Sequence, residues 1–309
     1  MSTGDATGGD AEFDYDVVIA GGGPTGCSAG LFTARYGLDT VIFDRGNSSI
    51  QRCAYLENYL GFPAGIDIGT LYALMHDHAE EAGCELVSDM VESVDRDGDG
   101  FLVETQDGDT VTAERVVAAA RYDADFLRPL DDAEEMFVTH SHGGEEHEHF
   151  DRDYPDEDGT TPIDGLYVAA PAGDAEAQAI ISAGQGARVA RTILAEVRRE
   201  RGFPDDIADH WDWIRRDANL TGEWADPDRW REWFDERTPD DHDLDEERLV
   251  ELREQEIDRK FATYLSDEEI DRRVERGQKR LLEHIDDERI LDAARDIEAE
   301  RQASETSED

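Results

Sequence analysis

The stretch "VVIAGGGPTGCSAG", residues 17–30, decides how the first half of the chain is read. Its apolar opening reads as a buried strand, the glycines as a tight turn, and the residues after them as a helix to about Tyr36, closed by Gly37. Gly21, Gly23 and Gly26 stand at G-x-G-x-x-G spacing, with Pro24 and Thr25 between the last two. There the missing side chains let a pyrophosphate approach the backbone at the positive end of a helix. Downstream, "DTVIFDRG" (39–46) reads as a second strand ending in Asp44 and Arg45. Asp44 follows Gly26 by 18 residues, close to the roughly 20 at which an acid takes a ribose hydroxyl. Strand, turn, helix and acid together predict a β-α-β dinucleotide site; glycines that only permit a tight turn are the alternative.

The charge sets wider bounds. The 309 residues carry 78 Asp and Glu against 30 Lys and Arg, a formal net charge of -48, and the only lysines are Lys260 and Lys279. The acid is interspersed through periodic apolar segments, and five Trp argue for packing rather than disorder. Such a chain suits a very salty cytoplasm, because at roughly 1 M salt a Debye length of about 3 Å screens self-repulsion. A halophilic protein that loosens in dilute buffer is therefore expected, and one that repels nucleic acid and anionic membranes. No apolar run is long enough to span a bilayer and no signal sequence opens the chain, so a cytoplasmic location is expected. Cys27, Cys53 and Cys84 form neither a CxxC pair nor a disulfide framework.

Residues 1–12 read as a disordered acidic tail and 13–203 as one α/β domain. A loop from Asn47 to Ile68 leads to a helix over 69–82, a strand within "CELVSDMVESVDR" (84–96) and an alternating meander over 100–120. A His- and acid-rich insertion covers 139–161, before a short strand near 166 and a long closing helix. From 204 to 303 the texture becomes helical and charged, with a tail at 304–309, and all five Trp fall within 211–233. Trp211 with Ile214, and Trp230 with Trp233 and Phe234, read as helical faces that dock this extension onto the first domain. Ile257, Phe261 and Leu265 step by four, as do Ile270 and Val274, and Leu281 and Ile285; Ser266 with Glu269 reads as a capping box. These apolar stripes make a homodimer an expectation.

An NAD domain would continue with further β-α units. The meander, and the return to a last strand near residue 166, instead resemble the FAD domain of the two-dinucleotide-binding flavoproteins. Within these, "LENYLGFP" (56–63) resembles the E-N-x-x-G-x-P segment of thioredoxin reductases, "LYALMHDHAEEAGCELV" (71–87) their next helix and strand, and "GLYVAA" with "QAIISAGQGARVA" their closing segment. The resemblance covers about residues 14 to 200. It implies a three-layer, Rossmann-like FAD-binding α/β domain with a β-meander, followed here by the helical extension. It also implies FAD as cofactor, with Asn58 near the isoalloxazine, Val91 near the adenine, and Gln178, Ala179 and Ile180 near the ribityl chain and pyrimidine end.

The chain departs from that family in three places. No second glycine fingerprint follows a strand, although the family inserts an NADPH domain after the meander. The CxxC pair needed for thiol-disulfide exchange is missing. Pro171 and Ala172 stand where the family's closing A-x-G-D has Gly and Asp, leaving Gly173 and Asp174 as substitutes for the ribityl contact. The expected function is an FAD-dependent oxidoreductase that does not reduce thioredoxin and exchanges electrons with a small-molecule or protein partner, with NAD(P)H only as a transient donor. The alternative is a non-catalytic nucleotide-binding or interaction module. Cys53 is a candidate redox thiol, weighed against an inert one. His140, His142, His147 and His149 are candidate metal ligands, weighed against incidental histidines of a hydrated loop.

Overall fold

The computed structural model describes residues 13–46, 48–120, 124–131, 135–142, 145–169, 178–242 and 244–307, without the side chains of 140–142, 145–147 and 306–307. The backbone divides into two compact units, Met1–Arg198 and Arg199–Asp309.

The first unit opens with β1 (Tyr15–Ala20), α1 (Pro24–Tyr36) and β2 (Thr40–Phe43). Gly37 ends α1 at φ 99°, a left-handed conformation that glycine adopts without a Cβ penalty. Two short strands, β3 (Tyr55–Leu56) and β4 (Ile66–Asp67), pair antiparallel in the next loop. Helix α2 (Ile68–Ala82) starts one residue before the expected Gly69, because the Asp67 carboxylate caps it by accepting the Thr70 amide at 2.9 Å. Then come β5 (Glu85–Val87), β6 (Val91–Asp97), β7 (Gly100–Thr105), β8 (Thr110–Ala118), β9 (Phe137–His142), β10 (Glu145–Phe150), β11 (Leu166–Val168) and α3 (Ala179–Glu200).

Strands β5, β2, β1 and β8 lie in that order and run parallel, while β8, β7 and β6 form the antiparallel meander. One strand serves both halves: β8 pairs with β7 over Thr110–Ala113 and with β11 over Val116–Ala118. That is why the sequence switches from continuous apolar runs, buried on two faces, to alternation. Successive residues of β1 feed opposite faces: Val18 packs in a cluster with Val41, Phe101 and Leu127, and Val17 and Ile19 pack in another with Ile42 and Ile193 of α3. The weakly patterned stretch between β8 and β11 holds an unexpected hairpin, β9–β10, in which Phe137 and Phe150 meet edge to face at 5.8 Å.

The second unit contains α4 (Asp205–Ala208), β12 (Arg215–Arg216), α5 (Pro227–Asp235), α6 (Glu246–Ala262), β13 (Tyr264–Leu265), α7 (Asp267–Leu282) and α8 (Asp287–Ser307). Trp211 and Ile214 do not share a helical face, since residues 209–214 are not helical. They lead instead into β12, which pairs parallel with β13, and the Trp211 and Trp213 rings meet edge to face at 5.8 Å. Leu265 and Ile285 likewise fall outside α6 and α7, so their steps of four do not continue a helix. Trp230, Trp233 and Phe234 do lie on α5, and Phe234 is fully buried with Phe203, Ile207 and Leu252. Ser266 caps α7 by accepting the Glu269 amide at 3.2 Å. Among the described residues no helix is long and apolar enough to cross a membrane.

Candidate functional site

The glycine loop follows β1 directly. Gly21 has φ 114°, and its amide donates to the Phe43 carbonyl at 3.0 Å, tying the loop to the end of β2. A Cβ on Gly26 would stand 1.8 Å from the Gly21 carbonyl oxygen, and one on Gly23 would stand 2.6 Å from Ser48 Oγ. Helix α1 begins here with no side-chain cap. Pro24 has no N–H and the Cys27 amide bonds Gly23 O at 3.0 Å, so helix geometry leaves the Thr25 and Gly26 amides as the first-turn donors for an anion.

Two further glycines complete the cradle, and the fingerprint spacing does not point to them. A Cβ on Gly22 would lie 2.5 Å from Asp44 Cβ, so the acid at the end of β2 backs directly onto the loop. A Cβ on Gly186 of α3 would lie 2.0 Å from the Thr25 carbonyl oxygen, so the "GQG" of the closing helix lets α3 press against the start of α1.

Asp44 is held from three sides. Its Oδ1 accepts the Gly46 amide at 3.0 Å, and its Oδ2 accepts the Tyr72 hydroxyl and lies 3.1 Å from His76 Nε2. The same His76 nitrogen is 3.1 Å from Gly22 O. Burial works against the carboxylate, but the hydrogen bonds from His76, Tyr72 and the Gly46 amide outweigh it and hold Asp44 below the usual carboxylate range. Reciprocally, the bond to Asp44 raises His76 above the ordinary histidine value against the opposing effect of burial. Burial, then the bond to Asp44, pushes the Tyr72 phenol far up. A carboxylate offers about four acceptor positions, and these bonds leave room for a ribose hydroxyl.

A cleft of about 810 Å³ opens from the loop, within the roughly 300–1,000 Å³ common for small-molecule sites. Gly21, Gly23, Pro24, Thr25, Asp44, Arg45, Val91, Gln178 and Ala179 all line it, whereas Gly26 packs beneath Gly21. Asn58 Nδ2 donates to Gln178 Oε1 at 2.8 Å across 120 residues of sequence. Ile180 is exposed at the start of α3. Pro171, Ala172, Gly173 and Asp174 lie outside the described residues. Cys53 is exposed and lines the cleft; Cys27 and Cys84 are buried, and burial pushes both thiols up to about 12. The side chains of His140, His142 and His147 lie outside the described residues, and His149 is exposed. Among the described residues no group of three or more His, Cys, Asp or Glu is placed to hold a metal.

Residues 15–120 match the family model described as pyridine nucleotide-disulphide oxidoreductase. The thioredoxin reductase of Aquifex aeolicus is 32% identical over 108 residues, covering 34% of this chain and 33% of that one. Those of Rickettsia conorii and Streptomyces clavuligerus are 33% and 35% identical over 113 and 105 residues, and each alignment covers between 33% and 36% of either chain. The chain therefore spans about a third of the length of the curated relatives it matches, and that third is thioredoxin-reductase-like. A solved thioredoxin reductase from Gloeobacter violaceus aligns with 66% of this chain and 98% of its own, at 19% identity and a TM-score of 0.49.

Proposed function

We propose that the thioredoxin-reductase-like part of the chain binds FAD, and that the protein is a flavin-dependent oxidoreductase that does not exchange electrons through a dithiol. The observation that supports this best is the cradle itself. Glycines at 22, 23, 26 and 186 stand where a side chain would collide with Asp44, Ser48, Gly21 or Thr25, and Gly21 takes a φ of 114° that other residues rarely adopt. Gly21, Gly22 and Gly23 keep the backbone bare in a cleft which also holds Asp44, Val91 and Gln178, and Gly26 and Gly186 let the loop, α1 and α3 close up behind it.

In this reading the Thr25 and Gly26 amides and the dipole of α1 balance the pyrophosphate charge. Asp44 accepts from the adenosine ribose, and Val91 covers the adenine. The Asn58–Gln178 pair joins the loop before α2 to the start of α3 at the other end of the cofactor, where the resemblance puts the ring and ribityl chain. Bound FAD supplies a ring that takes and gives hydride at N5. Ala172 stands in the register of the family's ribityl-contacting Asp, and Asp174 is proposed as its substitute.

Dithiol exchange needs an attacking and a resolving thiol within reach of each other. The chain has three cysteines, of which Cys27 and Cys84 are buried with thiols near 12. Reduction of thioredoxin is therefore excluded from the proposal. The stretch between β8 and β11, where the resembled family carries its NADPH domain, is 47 residues long here and contains the β9–β10 hairpin. Electrons are proposed to come from a small molecule or protein partner, with NAD(P)H as a transient donor.

The test is a visible spectrum of the full chain purified in molar KCl, before and after addition of FAD and then NADH or NADPH. Flavin bands that bleach with either nucleotide support the reading in full. Bands that bleach only with a chemical reductant point to a protein donor or to a structural flavin. A chain that takes up no FAD is the non-catalytic module instead.

A further inference from the structure

Tyr72 and His76 stand one turn apart on α2, their rings 4.5 Å apart between centroids, and both reach Asp44 Oδ2. His76 Nε2 faces two oxygens that can only accept, Asp44 Oδ2 and Gly22 O, each at 3.1 Å. Nε2 therefore carries its hydrogen whether or not the ring is charged, and the ring gains or loses its proton at Nδ1. Deprotonation removes the positive charge while leaving the bracket between Asp44 and the glycine loop in place.

Other groups come to this ring from three elements. From α1, the Cys27 thiol donates to the same Gly22 carbonyl at 3.1 Å. From α2 itself, Tyr72 shares Asp44 and Glu80 adds negative charge one turn on. From the end of β2 comes Asp44, nearly buried, against a His76 side chain that is 26% exposed. The cleft wall beyond carries the acids Asp89, Glu92 and Asp125 against Arg45 and Arg52. An anionic dinucleotide entering a chain of net charge -48 meets little positive charge, so one cation beside Asp44 counts.

We propose that His76 is a positioning residue of the dinucleotide site: protonated, it neutralises Asp44 behind the pyrophosphate loop, so that the FAD anion is held more tightly with the ring charged than with it neutral. The inference rests on the FAD reading above. The ribose contact to Asp44 is dipolar and changes less than the charge–charge interaction with the pyrophosphate, which sets the sign. His76 is raised above the ordinary histidine value, so the weakening falls on the alkaline side of that value.

The test measures FAD affinity by flavin fluorescence quenching in molar KCl, with the flavin-free full chain, between about pH 5.5 and pH 9. Wild-type affinity is expected to fall about fivefold as pH rises. His76→Gln keeps an N–H donor without the charge, and is expected to be flat at the weaker limit. Tyr72→Phe leaves the charge and is expected to keep the wild-type fall. A His76→Gln variant with the wild-type pH dependence, or a wild type that binds equally at every pH, overturns this inference alone. No FAD binding by the wild type at any pH overturns the cofactor reading and this inference with it. In a separate NMR titration of the His76 ring without FAD, Asp44→Asn is expected to move the midpoint down towards the ordinary value; an unmoved midpoint overturns the pairing.

Discussion

Among the described residues, 1–198 bury three apolar clusters, two of them around a seven-stranded sheet, whereas 199–309 gather one small cluster, Phe203, Ile207, Phe234 and Leu252. The charges are distributed the other way. Nineteen of the 30 Lys and Arg lie in the second unit, against 38 of the 78 acids, and eleven in the first, against forty. The second unit places its cations in short contacts with its own acids and aromatic rings. Arg231 grips Glu254 through two bonds of 2.9 and 2.7 Å, Arg253 reaches Asp235 at 3.0 Å, and Arg229 and Arg237 lie over Trp224 and Trp233. The first unit relies on apolar burial and leaves most of its acid surface without a counter-charge of its own. The lesson is that one acidic composition covers two ways of staying folded, and they should fail under different conditions.

Because all five Trp belong to residues 199–309, their fluorescence reports the second unit, while FAD uptake reports the first. The largest effect is expected from Gly26→Ala, which drives a Cβ to 1.8 Å from the Gly21 carbonyl. FAD uptake should be abolished with the Trp melting curve unchanged; a Trp curve that moves with it would break the separation. Next, Phe234→Ala empties the centre of the small cluster and should lower the second unit's stability by about 3–5 kcal/mol, read by Trp fluorescence in urea, with FAD uptake retained. Third, dilution from molar KCl should release FAD at a salt concentration where Trp fluorescence is still native, since the first unit carries the greater uncompensated repulsion. Simultaneous loss of both signals would contradict the comparison.

A smaller effect is expected from pH. Asp44 is depressed on folding, so its contribution is present above the ordinary carboxylate range and lost as pH falls through its lowered value. His76 is raised, so its contribution is present below the ordinary histidine value and lost as pH rises through the raised one. The first unit should melt highest between these limits, and Asp44→Asn should flatten both edges in circular dichroism melts at fixed KCl. Smallest is Arg231→Met: the pair with Glu254 is more than a third exposed on both sides, and exposed pairs contribute little. A slight drop in the Trp midpoint is expected, shrinking further in molar KCl.

Much of the first unit is legible in the sequence because its signals are local. The "VVIAGGGPTG" run, its helix and the acid at 44 emerge from spacing alone, and the resemblance pairs two distant motifs that the structure joins through Asn58 and Gln178. The Tyr72–His76 bracket is not legible, since the sequence marks only a helix over 69–82 and their partner lies 28 or more residues upstream. A polar pair at i and i+4 beside the buried Ile68 and Leu71 is the signal that could raise it. Gly186 reads as an ordinary helix glycine, and only the approach of α3 to Thr25 gives it a purpose. Near Trp211 the helical period misleads. Trp211, Trp213 and Arg215 alternate, with Arg215 over the Trp213 ring, and spacing by two prevails over the single helical step to Ile214. The β9–β10 hairpin is hidden because its strands carry few apolar residues, although two glycines separate them, the length a tight hairpin turn favours.

The contact of Gly186 with Thr25 spans 161 residues of sequence. During synthesis the loop, α1 and β2 leave the ribosome early, but the backbone they must press against is among the last parts of the unit to be made. The cradle therefore gains its last wall only after α3 has been made, with residues 201–309 still to follow, and a dinucleotide held there would be captured no earlier than that point.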